Sequence, residues 1–240
     1  MKFARTAVFL AASFLGGFAI APAVALSSDG YPKTDVLWPK GQPIPVCWDL
    51  QVQAYNDYAD QREIVRKSVA DSWEAASLVR FTGWDRCTDT DNQGLTIGVN
   101  QDRPATLGGL GTKVRNAKPG LQLNFEFTQW GTSYCSTRKE ECIRAITVHE
   151  FGHVLGFAHE QNRDDTPTGL CSGEKGPIGM KGDVAFGPWD QDSVMNYCNP
   201  IWNNSGNLSP GDIEMVKFYY GDPEPGSNVD IVPVISLLLD

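Results

Sequence analysis

Three histidines occur in this 240-residue chain. All of them fall in one string, HEFGHVLGFAHE, from His149 to Glu160. His149 and His153 are four residues apart. On a helix that spacing turns through about 400°, so both rings leave one face, a turn apart. Two ring nitrogens so placed reach one ion at about 2.0–2.1 Å. Glu150 is rotated about 100° from His149. It stands beside the metal rather than on it, where a base acting on a bound water belongs. His159 is too far along a straight helix to share the ion, and a turn at Gly156 would swing it back. The expected ion is a single zinc, with three neutral imidazoles, its full double charge and one open position, which brings the pKa of its water to about 7. Glu150 would take a proton as that water attacks a carbonyl carbon, then pass it to the leaving amine. A zinc that only staples a fold is usually closed by four protein ligands, often cysteine. This string offers three, with a carboxylate where a base is needed.

Such a site needs a helix beneath it. Thr137-Arg138-Lys139-Glu140 matches a capping box, and the helix it opens runs through Ile143 and Ile146 to about Leu155. Gly156 then fits a left-handed C-terminal turn. A first long helix is expected over Tyr55–Ser77, where Val65, Val69, Trp73 and Ala76 recur at helical spacing as a packing stripe. Strands are expected at Ile44–Trp48, with its proline-marked start at an edge, and at Val79–Trp84 and Leu95–Val99. Leu121–Phe127 (LQLNFEF) alternates apolar and polar residues as a half-buried strand does. Thr106–Val114 (TLGGLGTKV) lacks the ending of a phosphate loop and reads as an edge strand or a loop open to another backbone. Residues 161–207 show little periodicity and should be irregular. Ser209-Pro210-Gly211-Asp212 opens a last helix, with a serine cap, proline first and an acid at the positive end of the dipole. Gly221-Asp222-Pro223 stops it.

Composition bounds the setting. Residues 1–25 combine Lys2 and Arg5, an apolar run to Ile20 and small residues at Ala23–Ala25, the pattern of a secretory signal peptide. The leader resembles bacterial ones, so the glycosylation-type strings at Asn203 and Asn207 are assigned nothing. Beyond it, 18 basic and 29 acidic residues give a net charge of −11, which argues against nucleic acid or an anionic membrane as partner. Six cysteines behind a leader suggest up to three disulfides among 15 possible connectivities. Pairing of neighbours gives Cys47–Cys87, Cys135–Cys142 and Cys171–Cys198. The apolar end Ile231–Leu239 is too short to span a bilayer.

The string HEFGHVLGFAHEQNRDD resembles the astacin branch of the metzincin zinc endopeptidases. Glu160 directly after the third histidine, then Gln161, Arg163 and Asp165, carry the likeness. WDQDSVMNYC resembles the family's Met-turn, with Met195 at the methionine under the metal. Tyr197 falls at the tyrosine that ligates zinc and swings to stabilise the oxyanion. LSPGDIEMVKFYYG resembles the closing helix and WPKGQPIPVCW the start of the catalytic domain. The similarity therefore covers Trp38 to about Tyr220. Three departures stand out. Asn196 replaces the usual histidine, the arginine after Asp165 is missing, and residues 26–37 are short for a propeptide. TLGGLG and LQLNFEF are also matrixin-like. Glu160 has three readings: it holds His159, it holds the mature N-terminus, or it is a solvated loop acid.

The resemblance implies an α/β fold in two lobes. One is a twisted, mostly parallel five-stranded sheet with two long helices, and the other an irregular C-terminal lobe with one helix. The expected division is 1–25 leader, 26–37 lead-in, 38–159 N-terminal lobe, 160–222 C-terminal lobe and 223–240 tail. The expected function is a secreted, monomeric zinc endopeptidase acting on proteins or peptides. Its metal ligands would be His149, His153, His159 and Tyr197, and its catalytic residues Glu150 and Tyr197. Substrate would lie extended along the edge strand near Thr106–Val114. The alternatives are a non-catalytic zinc-containing binding protein and a zinc hydrolase of a non-peptide amide.

Overall fold

A computed structural model describes residues 30–88, 94–131, 133–169 and 179–223. The expected leader, residue 171 of the third expected disulfide, and the chain from 224 onward lie outside them. Five strands form one sheet: β1 (Ile44–Trp48), β2 (Phe81–Arg86), β3 (Leu95–Val99), β4 (Ala105–Thr106) and β5 (Leu121–Leu123). Their order is β2-β1-β3-β5-β4, and every pairing is parallel except β4 on β5. Parallel neighbours require a crossover. Helices α1 (Val52–Asp57) and α2 (Ala59–Val69) supply it between β1 and β2, and α2 runs on as a π-helical turn over Ala70–Glu74. Strand β1 is interior, yet Ile44 and Pro45 pair only with β2, and β3 joins from Val46. The proline that cannot donate thus sits before the second neighbour begins.

The predicted stripe of the first long helix is buried, with Val65, Val69 and Trp73 fully inaccessible. Trp73 Nε1 donates to Val148 O at 2.8 Å and so ties this helix to the histidine helix. That helix, α4 (Lys139–Val154), follows a single turn, α3 (Tyr134–Thr137). The predicted capping box is absent. Thr137 closes α3, with its hydroxyl donating back to Ser133 O and Tyr134 O. The chain breaks at Arg138, and α4 begins without a side-chain cap. A serine or threonine hydroxyl can serve the turn behind it as readily as the helix ahead, and the Cys135–Cys142 disulfide joins the two turns. Cys47–Cys87, the other expected neighbour pair, is also formed.

Strand β5 is shorter than its alternation suggested. Asn124 Oδ1 accepts the amides of Glu126 and Phe127 at 2.9 and 2.8 Å, an Asx turn that ends the ladder. Phe125 and Phe127 still reach the core, so the pattern reported burial beyond the strand. Strand β4 takes in only Thr106 of the glycine-rich stretch, which continues as a 3-10 turn over Gly111–Asn116.

The lead-in is bonded into the fold from Gly30 on. Lys33 N donates to Gly156 O and Ala158 N to Tyr31 O, while Phe186 N donates to Gly30 O and Asp183 N to Pro32 O. Residues 30–33 therefore lie between the turn after α4 and the segment 183–186. Helix α5 (Pro210–Tyr220) opens with a capping box between Ser209 and Asp212 and ends at Gly221, with φ 99°. Its Tyr220 hydroxyl accepts from Trp38 N and donates to Leu155 O. Among the described residues no helix is long and apolar enough to cross a membrane.

Gly156 has φ +99°, and a Cβ there would lie 2.7 Å from Leu37 Cδ2. Gly156→Ala is expected to lower the unfolding free energy by about 1–3 kcal/mol, read as a fall in the midpoint of urea denaturation.

Candidate metal centre

Helix α4 carries His149 and His153 one turn apart, as the four-residue spacing requires. The left-handed turn at Gly156 reverses the chain, and His159 returns beneath the helix end, just before a 3-10 turn over Glu160–Asn162. The three rings converge on one point. His159 Nε2 lies 3.2 Å from His149 Nε2 and 3.0 Å from His153 Nε2. All three side chains are buried.

The outer ring nitrogens settle what these inner nitrogens can do. His149 Nδ1 lies 2.7 Å from Val194 O, and His153 Nδ1 lies 2.7 Å from Phe157 O. A carbonyl has no hydrogen to give, so each Nδ1 must carry the proton, which leaves the Nε2 lone pair facing inward. Lone pairs at such distances repel unless a cation lies among them. A tetrahedral zinc with bonds of about 2.0–2.1 Å has ligand–ligand edges of about 3.3 Å, close to the spacings observed. Burial holds His149 down at about 3 and His153 well below the ordinary range, with the neighbouring histidines adding to it. These two rings are therefore neutral at pH 7, the form that ligates. Donor type, tautomer and spacing all fit a zinc ion.

Glu150 is buried beside the ligands. Burial pushes its carboxyl up to about 8, and the backbone N–H of Thr106 in β4 opposes this. Its Oε2 has no hydrogen-bond partner among the described residues. A buried polar atom without a partner is rare and asks for a ligand or water.

The loop before α5 closes the centre from below. Met195 is buried, and a Cβ on Gly152 would fall 2.3 Å from its sulfur, so the thioether rests on the backbone of α4 between the two helical ligands. The Tyr197 ring stacks on His149 with centroids 5.2 Å apart and meets His159 at 4.4 Å. Gln161 Oε1 holds it in place by accepting from Tyr197 N at 3.0 Å. The structure thus brings together all five residues singled out from the sequence. Asn196, at the position where a histidine is usual, closes the turn instead. Its Nδ2 donates to Asp190 O, and its Oδ1 accepts from Cys198 N.

Glu160 is not a solvated acid, because it is fully buried. Its Oε1 accepts from Asp190 N at 3.0 Å and pairs with Arg163 Nη1 at 3.1 Å. Burial pushes its carboxyl up to about 8 against the pull of Arg163. The Arg163 guanidinium also donates to Gly30 O, Phe186 O, Gly187 O and Asp165. Sequence reasoning gave Arg163 no role beyond a motif match. It also read Asp212 only as a helix acid. Asp212 is fully buried and accepts from Ser193 Oγ, Val194 N and Ser209 N. Burial raises it to about 6, against the pull of these donors. The signal for it was the SPGD cap itself, since a capping acid has a second oxygen to offer.

Residues 131–169 match the family model "Astacin (Peptidase family M12A)". The embryonic protein UVS.2 of Xenopus laevis is 32% identical over 132 residues, 54% of this chain and 20% of that protein. The match thus spans about a fifth of the relative's length. A solved structure of myroilysin superposes with a TM-score of 0.56 at 16% identity, covering 81% of this chain and 100% of the other. At that identity the likeness is one of fold. These matches and the three-histidine cluster agree with the resemblance drawn from the sequence, astacin-like among the metzincins.

Proposed function

We propose that this chain, an astacin-like metzincin, is a secreted zinc endopeptidase that cleaves protein or peptide substrates as a monomer. The observation that carries the reading is the trio of inward-facing Nε2 atoms beside a buried, unpartnered carboxylate oxygen on Glu150. His149, His153 and His159 hold the ion. Zinc bound there supplies Lewis acidity and an acidified water. Glu150 accepts the proton of the attacking water through its open Oε2 and returns it to the leaving amine. A zinc held there would oppose the burial that raises Glu150 and favour its base form. Tyr197, its ring against two ligand rings, would serve as a further ligand and would donate to the carbonyl oxygen as charge develops. The short edge strand β4, whose Thr106 amide lies by Glu150, gives an extended substrate a backbone to pair with. The disulfides Cys47–Cys87 and Cys135–Cys142 suit an oxidising, extracytoplasmic setting.

A peptide library incubated with the zinc-loaded protein should yield cut sites by mass spectrometry, and a chelator should abolish them until zinc is restored. Intact peptides in the zinc-loaded arm would sink the reading and leave a binding protein. Hydrolysis confined to non-peptide amides would point to the other alternative.

A further inference from the structure

A line of hydrogen bonds leads away from His149 on the side opposite the ion. His149 Nδ1–H donates to Val194 O at 2.7 Å. That carbonyl and the N–H of Met195 belong to one peptide group, and the N–H donates to Ser193 Oγ at 3.0 Å. The Ser193 hydroxyl in turn donates to Asp212 Oδ1 at 2.7 Å. Every hydrogen points from the ring toward the carboxylate. Ser193, Val194, Met195 and Asp212 are all buried, and hydrogen bonds aligned in a dry interior strengthen one another. Asp212 Oδ2 accepts from Val194 N and Ser209 N, each at 2.9 Å. Two backbone N–H groups and a hydroxyl thus converge on this carboxylate, an arrangement suited to an anionic acceptor.

His153 makes the same first step and a different last one. Its Nδ1–H donates to Phe157 O, and the N–H of that peptide, on Ala158, donates to Tyr31 O. This line ends on a neutral carbonyl. A ligating imidazole that gives its second N–H to a carboxylate gains orientation and basicity. We propose that Asp212, acting through Ser193 and the Val194–Met195 peptide, is the remote carboxylate that orients His149 and strengthens it as a zinc ligand. It is a positioning residue and touches neither substrate nor ion. The inference rests on the three-histidine zinc site proposed above.

The test is zinc affinity, measured by competition with a chromophoric chelator. Ser193→Ala cuts the line and should weaken zinc binding on the order of 10–100-fold. Ser209→Ala is the control. It removes the hydroxyl that caps α5 at Asp212 N and leaves the line intact, so it should lower the melting temperature without changing zinc affinity. In the zinc-loaded protein, the Nδ1 proton resonance of His149 should move upfield in Ser193→Ala while that of His153 stays. Wild-type affinity in Ser193→Ala, or an equal loss in Ser209→Ala, overturns the proposal. If Ser193→Ala does not fold, Ser193→Thr keeps the hydroxyl and Asp212→Asn removes the charge. The first must then bind zinc as wild type does and the second more weakly; the opposite order overturns the proposal. Zinc affinities in the expected order with no peptide cleaved would sink the peptidase reading alone, and cleavage with equal affinities would sink the relay alone.

Discussion

Glu150→Gln should keep its zinc and lose peptide hydrolysis by about 10²–10⁴-fold in kcat/KM, the usual contribution of a general base. The substitution suits the site. Glutamine has nearly the same shape, and the side chain it replaces is buried. The ligands His149, His153 and His159 are untouched, and the Nδ1 atoms of His149 and His153 are held by backbone carbonyls rather than by Glu150. Metal content by atomic absorption should therefore stay at the wild-type level while turnover falls. Because the amide cannot take a proton at any working pH, the loss should persist across the pH range. Full activity in a zinc-loaded Glu150→Gln protein would mean that another group takes the proton. Loss of zinc along with activity would mean that Glu150 helps build the site instead.

The second large effect concerns stability. Arg163→Met should lower the unfolding free energy by about 3–5 kcal/mol, the cost of removing one partner from a buried pair. The guanidinium is fully inaccessible, as is the Glu160 side chain it meets. Methionine fills much of the volume and has no donors. Glu160 would then be left with the Asp190 amide on Oε1 and with Oε2 still lacking a partner among the described residues. The carbonyls of Gly30, Phe186 and Gly187 would each lose a charged donor as well. Urea denaturation with zinc held in excess gives the number. Adding Glu160→Gln to Arg163→Met should recover part of the loss, since the second change removes the stranded acid, and the cycle of the two measures their coupling. A loss below about 1 kcal/mol in Arg163→Met would place the pair among the ion pairs that contribute little.

Much of the centre was legible because its spacing is dictated by helix geometry. Four residues from His149 to His153 and a glycine before His159 leave few other arrangements, and the same holds for the SPGD opening of α5. The errors came where side chains compete for backbone groups. Thr137 turned back to Ser133 and Tyr134 rather than forward into α4. Asn124 folded onto the amides of Glu126 and Phe127 and ended β5 early. Polar residues make such choices from tertiary context, which periodicity does not record. The lead-in was hardest to read. Its hydrogen bonds go through backbone atoms of Gly30, Tyr31, Pro32 and Lys33, so the side chains carry no sign of them. Charge partners across long separations, such as Asp183 receiving Thr34 N and Lys33 Nζ, are equally silent in a single chain.

The clasped position of residues 30–33 also sets an order of events during synthesis. These residues are made well before their partners, which are Gly156 and Ala158 on one side and Asp183 and Phe186 on the other. Contacts so distant in sequence close late. The turn that delivers His159 cannot be braced until most of the chain has emerged. The turn that places His159 is therefore braced only after the segment 183–186 has been made and has docked on residues 30–33.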